Sequence, residues 1–273
     1  MTDRLETQLR GYFGFKHLPF RKDFTQGEYF PTASCAKTLK HLRYLVDRKG
    51  IGTLVCPPGT GKSTVLRVFM DSLSRTAYTV CYLPHSTCSV LDLVRQISRG
   101  FGLEPRYRRA DVLAQLKERL EKLAVQQKTQ PVLVLDDAHL LPGRFLDELQ
   151  ILSSFEVDGR DELTVVLAGQ PQLRANLGLA VNESFSQRVV LRLDLEPWTR
   201  DEIAGYLDYR LQRAGRTAKL FKQDALNALV KAARGIPRLV DRVAEHALIL
   251  ALEAGSKTID VELVTAALER VEP

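Results

Sequence analysis

The run Cys56-Pro57-Pro58-Gly59-Thr60-Gly61-Lys62-Ser63-Thr64 combines spaced glycines, a lysine and adjacent hydroxyls in one short stretch. Glycines let a loop turn tightly enough to bring backbone N–H groups onto an anion, and a helix start adds unpaired N–H groups of its own. The lysine then reaches the terminal phosphates of a nucleotide, and the serine hydroxyl is a ligand for its magnesium ion. Pro58, Gly59, Thr60, Gly61, Lys62, Ser63 and Thr64 are therefore the candidate ATP-binding residues. Phosphate loops of this type open on glycine where this chain has Cys56, a single departure from the pattern. A glycine-rich turn ahead of an ordinary helix is the bland alternative, but it gives no reason for Lys-Ser to follow Gly-Thr-Gly.

A second group comes at the end of an apolar run, where 132–135 leads into Asp136-Asp137-Ala138-His139. Open α/β sheets bind ligands at the carboxyl ends of their strands, so the two carboxylates arrive where a nucleotide would sit. Asp136 suits water-mediated magnesium binding beside Ser63. Asp137 stands where a glutamate ordinarily polarises the attacking water and is one methylene shorter, so hydrolysis is expected to be slow or to need a rearrangement. Paired acids at a strand end also form turns, which is the alternative reading. His139 has no second ligand at helical spacing and reads as a structural or coupling residue. The four cysteines form no Cys-x-x-Cys pair, so neither a zinc site nor a disulfide framework is indicated.

The elements that must carry these groups follow from the hydrophobic rhythm of the 273 residues. Short apolar runs at 52–55, 79–83, 132–135, 164–168 and 189–193 read as buried strands, and stretches with three- and four-residue apolar spacing lie between them. Alternation of this kind predicts a parallel five-stranded sheet with helices on both faces. Beyond Trp198 the strand signal stops, and 200–214, 222–233, 237–253 and 261–270 read as helices. Thr199 before Asp201 and Glu202, Pro237 after Gly235, and Asp260 mark three of their starts. The expected division is an extension packed on the sheet domain at 1–50, the α/β domain at 51–196 and an all-helical lid at 197–273. No apolar run reaches the ~18 residues of a membrane span and the start lacks the layout of a signal peptide, which predicts a cytoplasmic protein.

Together these residues resemble a P-loop AAA+ ATPase, with the loop at 56–64 as its Walker A and Asp136-Asp137 as its Walker B element. The resemblance implies roles for three more residues. Gln170, after the fourth strand, is the polar sensor of γ-phosphate and water; Arg188, ahead of the fifth, is a finger reaching a neighbouring subunit's nucleotide; Arg238, in Gly235-Ile236-Pro237-Arg238, is a lid arginine touching the γ-phosphate of its own subunit. A solvated helix cap or rim ion pair is the ordinary job for either arginine.

Within that superfamily, Tyr12-Phe13-Gly14-Phe15-Lys16-His17-Leu18-Pro19-Phe20, Asp137-Ala138-His139-Leu140 and Ala168-Gly169-Gln170-Pro171-Gln172-Leu173 are similar to the ExeA (GspA) group. That group implies two settings: a membrane-anchored secretion ATPase, and short ATPases beside transposases, relatives of the TnsC, TniB, IstB and Mu B regulators. A chain ending at Pro273 without a membrane span favours the second. The expectation is thus an ATPase that assembles with ATP and magnesium into a ring or filament on duplex DNA and regulates transposition through a transposase. A secretion-system assembly ATPase and a nucleotide-operated signalling switch are the alternatives.

The charge balance, 39 Lys and Arg against 33 Asp and Glu, is compatible with a polyanion and proves none. Its surplus gathers at Arg95, Arg99, Arg106, Arg108 and Arg109, with Tyr107 available to lie against a sugar or base. Arg106, Arg108, Arg109 and Thr87, in His85-Ser86-Thr87-Cys88-Ser89, are the candidate DNA contacts, because guanidinium groups pair with phosphates and hydroxyls add hydrogen bonds. A solvated face with ordinary ion pairs is the alternative. Lys16, Arg21 and Lys22 are assigned to subunit packing, and Trp198 with the early aromatic residues to core or interface anchoring.

Overall fold

The structure is a computed structural model that describes residues 2–21, 29–84, 88–153 and 163–271. They form two units, one of residues 33–58 and 62–195 and one of 1–32, 59–61 and 196–273.

The first unit is a parallel sheet of β1 (Ile51–Val55), β2 (Tyr78–Leu83), β3 (Gln130–Leu135), β4 (Thr164–Gly169) and β5 (Val189–Asp194), in the order β2-β3-β4-β1-β5. Register runs Ile51 to Val165 and Ile51 to Val189, so the carboxyl ends of all five strands share one edge. The central strands β1 and β4 are buried at every position, as continuous apolar runs covered on both faces must be. On the outer strands Tyr82 of β2 is exposed between the buried Cys81 and Leu83, and Val190 of β5 between the buried Val189 and the half-buried Leu191. Around the sheet lie α2 (Ala33–Arg48), α3 (Lys62–Asp71), α4 (Val90–Gly100), α5 (Arg109–Glu121), α6 (Gly143–Ser153) and the short α7 (Gln172–Leu177) and α8 (Glu183–Gln187). Their apolar stripes, such as Leu93, Val94 and Ile97 or Val112, Leu116 and Leu120, close one core with Leu133, Leu135, Val165 and Leu167. Strands expected at five places are found at all five, each extended by one or two residues.

The second unit holds α1 (Thr2–Phe13), α9 (Arg200–Arg213), α10 (Gln223–Ala233), α11 (Pro237–Glu253) and α12 (Val261–Val271). Thr199 caps α9 in a reciprocal box with Glu202, and Pro237 opens α11 at a position whose N–H has no helical partner anyway. Asp260 accepts the N–H of Leu263 at 3.2 Å. Gly235 has φ 76°, and a Cβ there would lie 2.6 Å from that of Pro197, so only glycine allows the turn in which Trp198 N–H meets Gly235 O at 2.9 Å.

Residues 1–32 belong with these helices and not with the sheet, which corrects the expected division at residue 50. Leu9, Phe13, Phe15 and Phe20 share a core with Ile203, Leu207, Leu211 and Val243. The irregular segment after α1 has backbone carbonyls without a ladder, and arginines supply the donors: Arg210 to Pro19 O and Arg21 O, Arg216 to Phe13 O at 2.9 Å. Lys16 N–H bonds Ala214 O at 2.8 Å, which gives Lys16 a place inside the unit. The anchoring expected of Trp198 is to Phe30 and Tyr206, at ring separations of 6.0 and 4.9 Å. Lys22 lies outside the described residues.

Candidate functional site

Lys62 is the first residue of α3, directly after the loop that leaves β1, and Asp136 follows the last residue of β3. The sheet order sets β4 between these strands, and the side chains close the gap above it. Lys62 Nζ forms an ion pair with Asp136 and donates to Asp137 Oδ1 at 3.0 Å. Ser63 Oγ donates to Asp136 Oδ2 at 2.9 Å, Tyr82 OH donates to the same oxygen at 3.2 Å, and the N–H of Asp137 donates to Asp136 Oδ1 at 2.8 Å. Asp136 is 3% exposed, so its charge is held by these four donors instead of water. The four sequence-predicted residues Lys62, Ser63, Asp136 and Asp137 therefore do meet.

Asp137 has the left-handed backbone, φ 49° and ψ 36°, that aspartate tolerates better than most residues. That turn leaves its carboxylate more than a third exposed while Asp136 points inward. His139 Nδ1 accepts the N–H of Gln170 at 3.5 Å, linking the end of β4 to the acidic turn. Burial holds the imidazole below its ordinary pKa, and Lys62 pushes the same way against the opposing pull of Asp137. His139 is therefore neutral near pH 7, with Nε2 carrying the proton. Tyr82 stays protonated, because burial and then Asp137 push the phenol up against the weaker effect of Arg67.

A nucleotide with magnesium fits this donor set. Gly59 and Gly61 have φ 86° and 99°, the left-handed conformation from which loop N–H groups converge on an anion. Ser63 Oγ and a carboxylate oxygen of Asp136, side by side, are the hard oxygen donors that magnesium takes. Thr60 is buried, and the Cys56 that replaces the opening glycine is buried with its N–H on Gly169 O at 3.1 Å, so the departure is accommodated by the core. Pro58 is exposed, and Thr64 lies on the first turn of α3. In the helical unit, Arg238 on the first turn of α11 gives its N–H to Gly59 O at 3.2 Å, and its side chain is exposed.

Arg188 sits elsewhere. It is exposed and precedes β5, whose register with β1 pairs Val189 with Ile51 and Asp194 with Val55. It therefore lies at the amino edge of the sheet, roughly 17 Å of strand away from the edge holding the phosphate loop. Reaching its own Lys62 is excluded by that distance.

The basic loop follows α4. Arg106, Tyr107 and Arg108 are exposed, Tyr107 at 89%. Donors behind it fix its backbone: Arg95 to Tyr107 O at 2.8 Å and Gln115 to Glu104 O at 3.1 Å. Arg109 differs in having an ion-pair partner, Glu148 of α6, a carboxylate with 2% of its side chain exposed, while its own side chain is 59% exposed. Thr87 lies outside the described residues.

Sequence reasoning missed Tyr82 and Glu148. The exposed phase of an edge strand hides the first. The second carried a readable signal, a lone acid within the apolar arc of Phe145, Leu149 and Leu152.

This loop, acidic strand end and strand order are the P-loop AAA+ fold. Residues 44–177 match the AAA domain family. The AAA match thus runs from the end of α2 through α7 and takes in Lys62, Ser63, Asp136, Asp137, His139 and Gln170. The chain is also similar to the general secretion pathway protein A of Aeromonas hydrophila, 32% identical over 263 residues, covering 94% of this chain and 48% of that protein. It spans about half the length of the curated relatives it matches. Among solved structures, Cdc6p from Pyrobaculum aerophilum matches with a TM-score of 0.69 at 22% identity over 93% of this chain and 70% of that one. The Drosophila ORC bound to DNA matches with 0.70 at 18% identity over 99% and 68%. At those identities the two structures report the AAA+ fold alone. Among the described residues no helix is long and apolar enough to cross a membrane.

Proposed function

We propose that the protein is an ATPase that binds ATP with magnesium and works as an assembly ATPase of the GspA kind. The carrying observation is the knot of Lys62, Ser63, Asp136 and Asp137, a cation and hydroxyl held on two carboxylates at the mouth of a phosphate loop. The similarity to general secretion pathway protein A across 94% of the chain supports a secretion setting ahead of DNA transposition and its transposase, which the sequence alone favoured. Its place of work is the cytoplasm, where ATP is.

Phosphates entering the loop offer Lys62 a stronger anion than the carboxylates, so the ammonium turns to them and leaves Asp137 free. Magnesium, held by Ser63 and Asp136, would withdraw charge from the phosphates. Asp137 then accepts the proton of the attacking water, with a shorter reach than glutamate and a correspondingly low rate. Gln170, carried by His139, orients that water, and Arg238 contacts the γ-phosphate. Arg188 completes the site of a second copy, since it lies a strand's length from its own. ATP therefore joins copies of the chain into a ring or filament.

Mixing variants tests this reading. Arg188→Ala should bind ATP normally but assemble and hydrolyse weakly; combined with Asp137→Asn protein it should regain activity at mixed interfaces. Absence of rescue together with normal assembly of Arg188→Ala would remove the finger.

The exposed loop of Arg106, Tyr107 and Arg108 favours a second reading, in which the assembled protein tracks duplex DNA. Anisotropy of a labelled duplex should then show ATP-dependent binding whose log-log salt slope is about −0.9 per phosphate neutralised. Arg106→Ala with Arg108→Ala should flatten it without affecting ATP binding. Equal slopes in the variant and the parent protein refute the loop as the DNA contact.

A further inference from the structure

Tyr82 belongs to neither sequence element of the nucleotide site. It is the next-to-last residue of β2, between the buried Cys81 and Leu83, and strand alternation turns its ring to the opposite face. The pairing of Leu83 with Leu135, and of Asp136 N–H with Leu83 O at 2.9 Å, brings the end of β2 alongside the acidic turn. From there the phenol hydroxyl reaches Asp136 Oδ2 at 3.2 Å, the oxygen that also accepts Ser63 Oγ at 2.9 Å.

The donors around Asp136 differ in permanence. Lys62 is mobile in function, because the proposed ATP site needs the same ammonium on the phosphates. Its departure leaves Ser63, Asp137 N–H and Tyr82 to hold a carboxylate that is 3% exposed. The N–H fixes Oδ1, and Ser63 sits on a loop-helix junction that the nucleotide itself engages. Tyr82, on the sheet edge, is the donor to Oδ2 that the phosphates do not touch.

We propose that Tyr82 is a positioning residue for the magnesium site: its hydroxyl holds the Asp136 carboxylate on Ser63 while Lys62 moves to the phosphates. The inference rests on the ATP and magnesium reading above. It gives a residue outside both motifs control over magnesium dependence, and leaves the phosphate loop itself untouched.

The test is Tyr82→Phe, which keeps the ring and removes the donor. Binding of a fluorescent N-methylanthraniloyl ATP is titrated first in EDTA and then at fixed nucleotide with increasing magnesium chloride. Nucleotide affinity in EDTA should stay at the wild-type value, while the magnesium midpoint rises about tenfold, the low end for a hydrogen bond to a charged group that solvent partly replaces. A midpoint that does not move overturns the inference. Equal weakening with and without magnesium also overturns it, since a general structural role would act on both. Wild-type protein that binds the nucleotide with no magnesium effect defeats the underlying reading of the site, and the role of Tyr82 falls with it.

Discussion

Removing the ammonium of Lys62 should cost the nucleotide-free protein stability as well as its ligand. Its side chain is 11% exposed and that of Asp136 only 4%, so Lys62→Met leaves a carboxylate charge out of water without its cationic partner. Breaking a buried pair in that way typically destabilises by about 3–5 kcal/mol. Two features place this case near the lower bound. Ser63, Tyr82 and the Asp137 N–H still donate to Asp136, and the second partner, Asp137, is exposed enough that its share is at most about 1 kcal/mol. The expected loss is about 3 kcal/mol, or roughly 10 °C in the thermal midpoint of a unit this size. Far-UV circular dichroism without nucleotide measures it. Adding Asp136→Asn to Lys62→Met should restore most of the midpoint, because the stranded charge is gone, while calorimetry still detects no ATP binding. A single variant within ~1 kcal/mol of wild type, or a double variant as unstable as the single one, would refute the buried pair.

Asp137→Asn should bind ATP as before and lose turnover in a phosphate-release assay, whereas Asp137→Glu, which restores the missing methylene, should raise it; unchanged turnover in the asparagine variant would move the base elsewhere. In the helical unit, burial pushes Asp241 from 3.8 up to about 6, against the opposing effects of the Tyr206 hydroxyl that donates to it at 2.6 Å and of Arg210. The folded state holds that proton more tightly than the unfolded chain, so this group's contribution, about 3 kcal/mol, is complete below pH ~4 and lost as pH rises through about 6. Denaturation midpoints at intervals between pH 4 and 8 should show this slope, and Asp241→Asn should remove it; the same slope in the variant would refute the assignment.

Most of the fold was legible because its signals are local. An interior strand in a parallel sheet is apolar at most of its positions, and a helix start carries Thr-x-x-Glu or proline within its own turn. The phosphate loop and acidic turn were legible for the same reason, since each motif is contiguous. What escaped depends on distant partners. Residues 1–32 read as part of the sheet domain because nothing in them announces Arg210, 191 positions from the carbonyl it bonds. Arg109 counts as surplus charge until Glu148 is found 39 residues later on another helix. Tyr82 looks like a solvent-facing edge residue until the strand order sets it beside Asp136.

The pairing of Arg210 with Pro19 also fixes an order of events during synthesis. Residues 33–195 contain the whole of the sheet unit and leave the ribosome before α9 exists. Leu9, Phe13, Phe15 and Phe20 emerge earlier still, yet the surfaces that cover them, around Ile203 and Leu211, come some 190 residues later. At about 5–20 residues per second that interval is roughly 10 to 40 s. For that time the aromatic segment stays uncovered while the sheet behind it is still being synthesised, since β5 is finished only at Asp194, and such a segment is the kind of surface that chaperones hold.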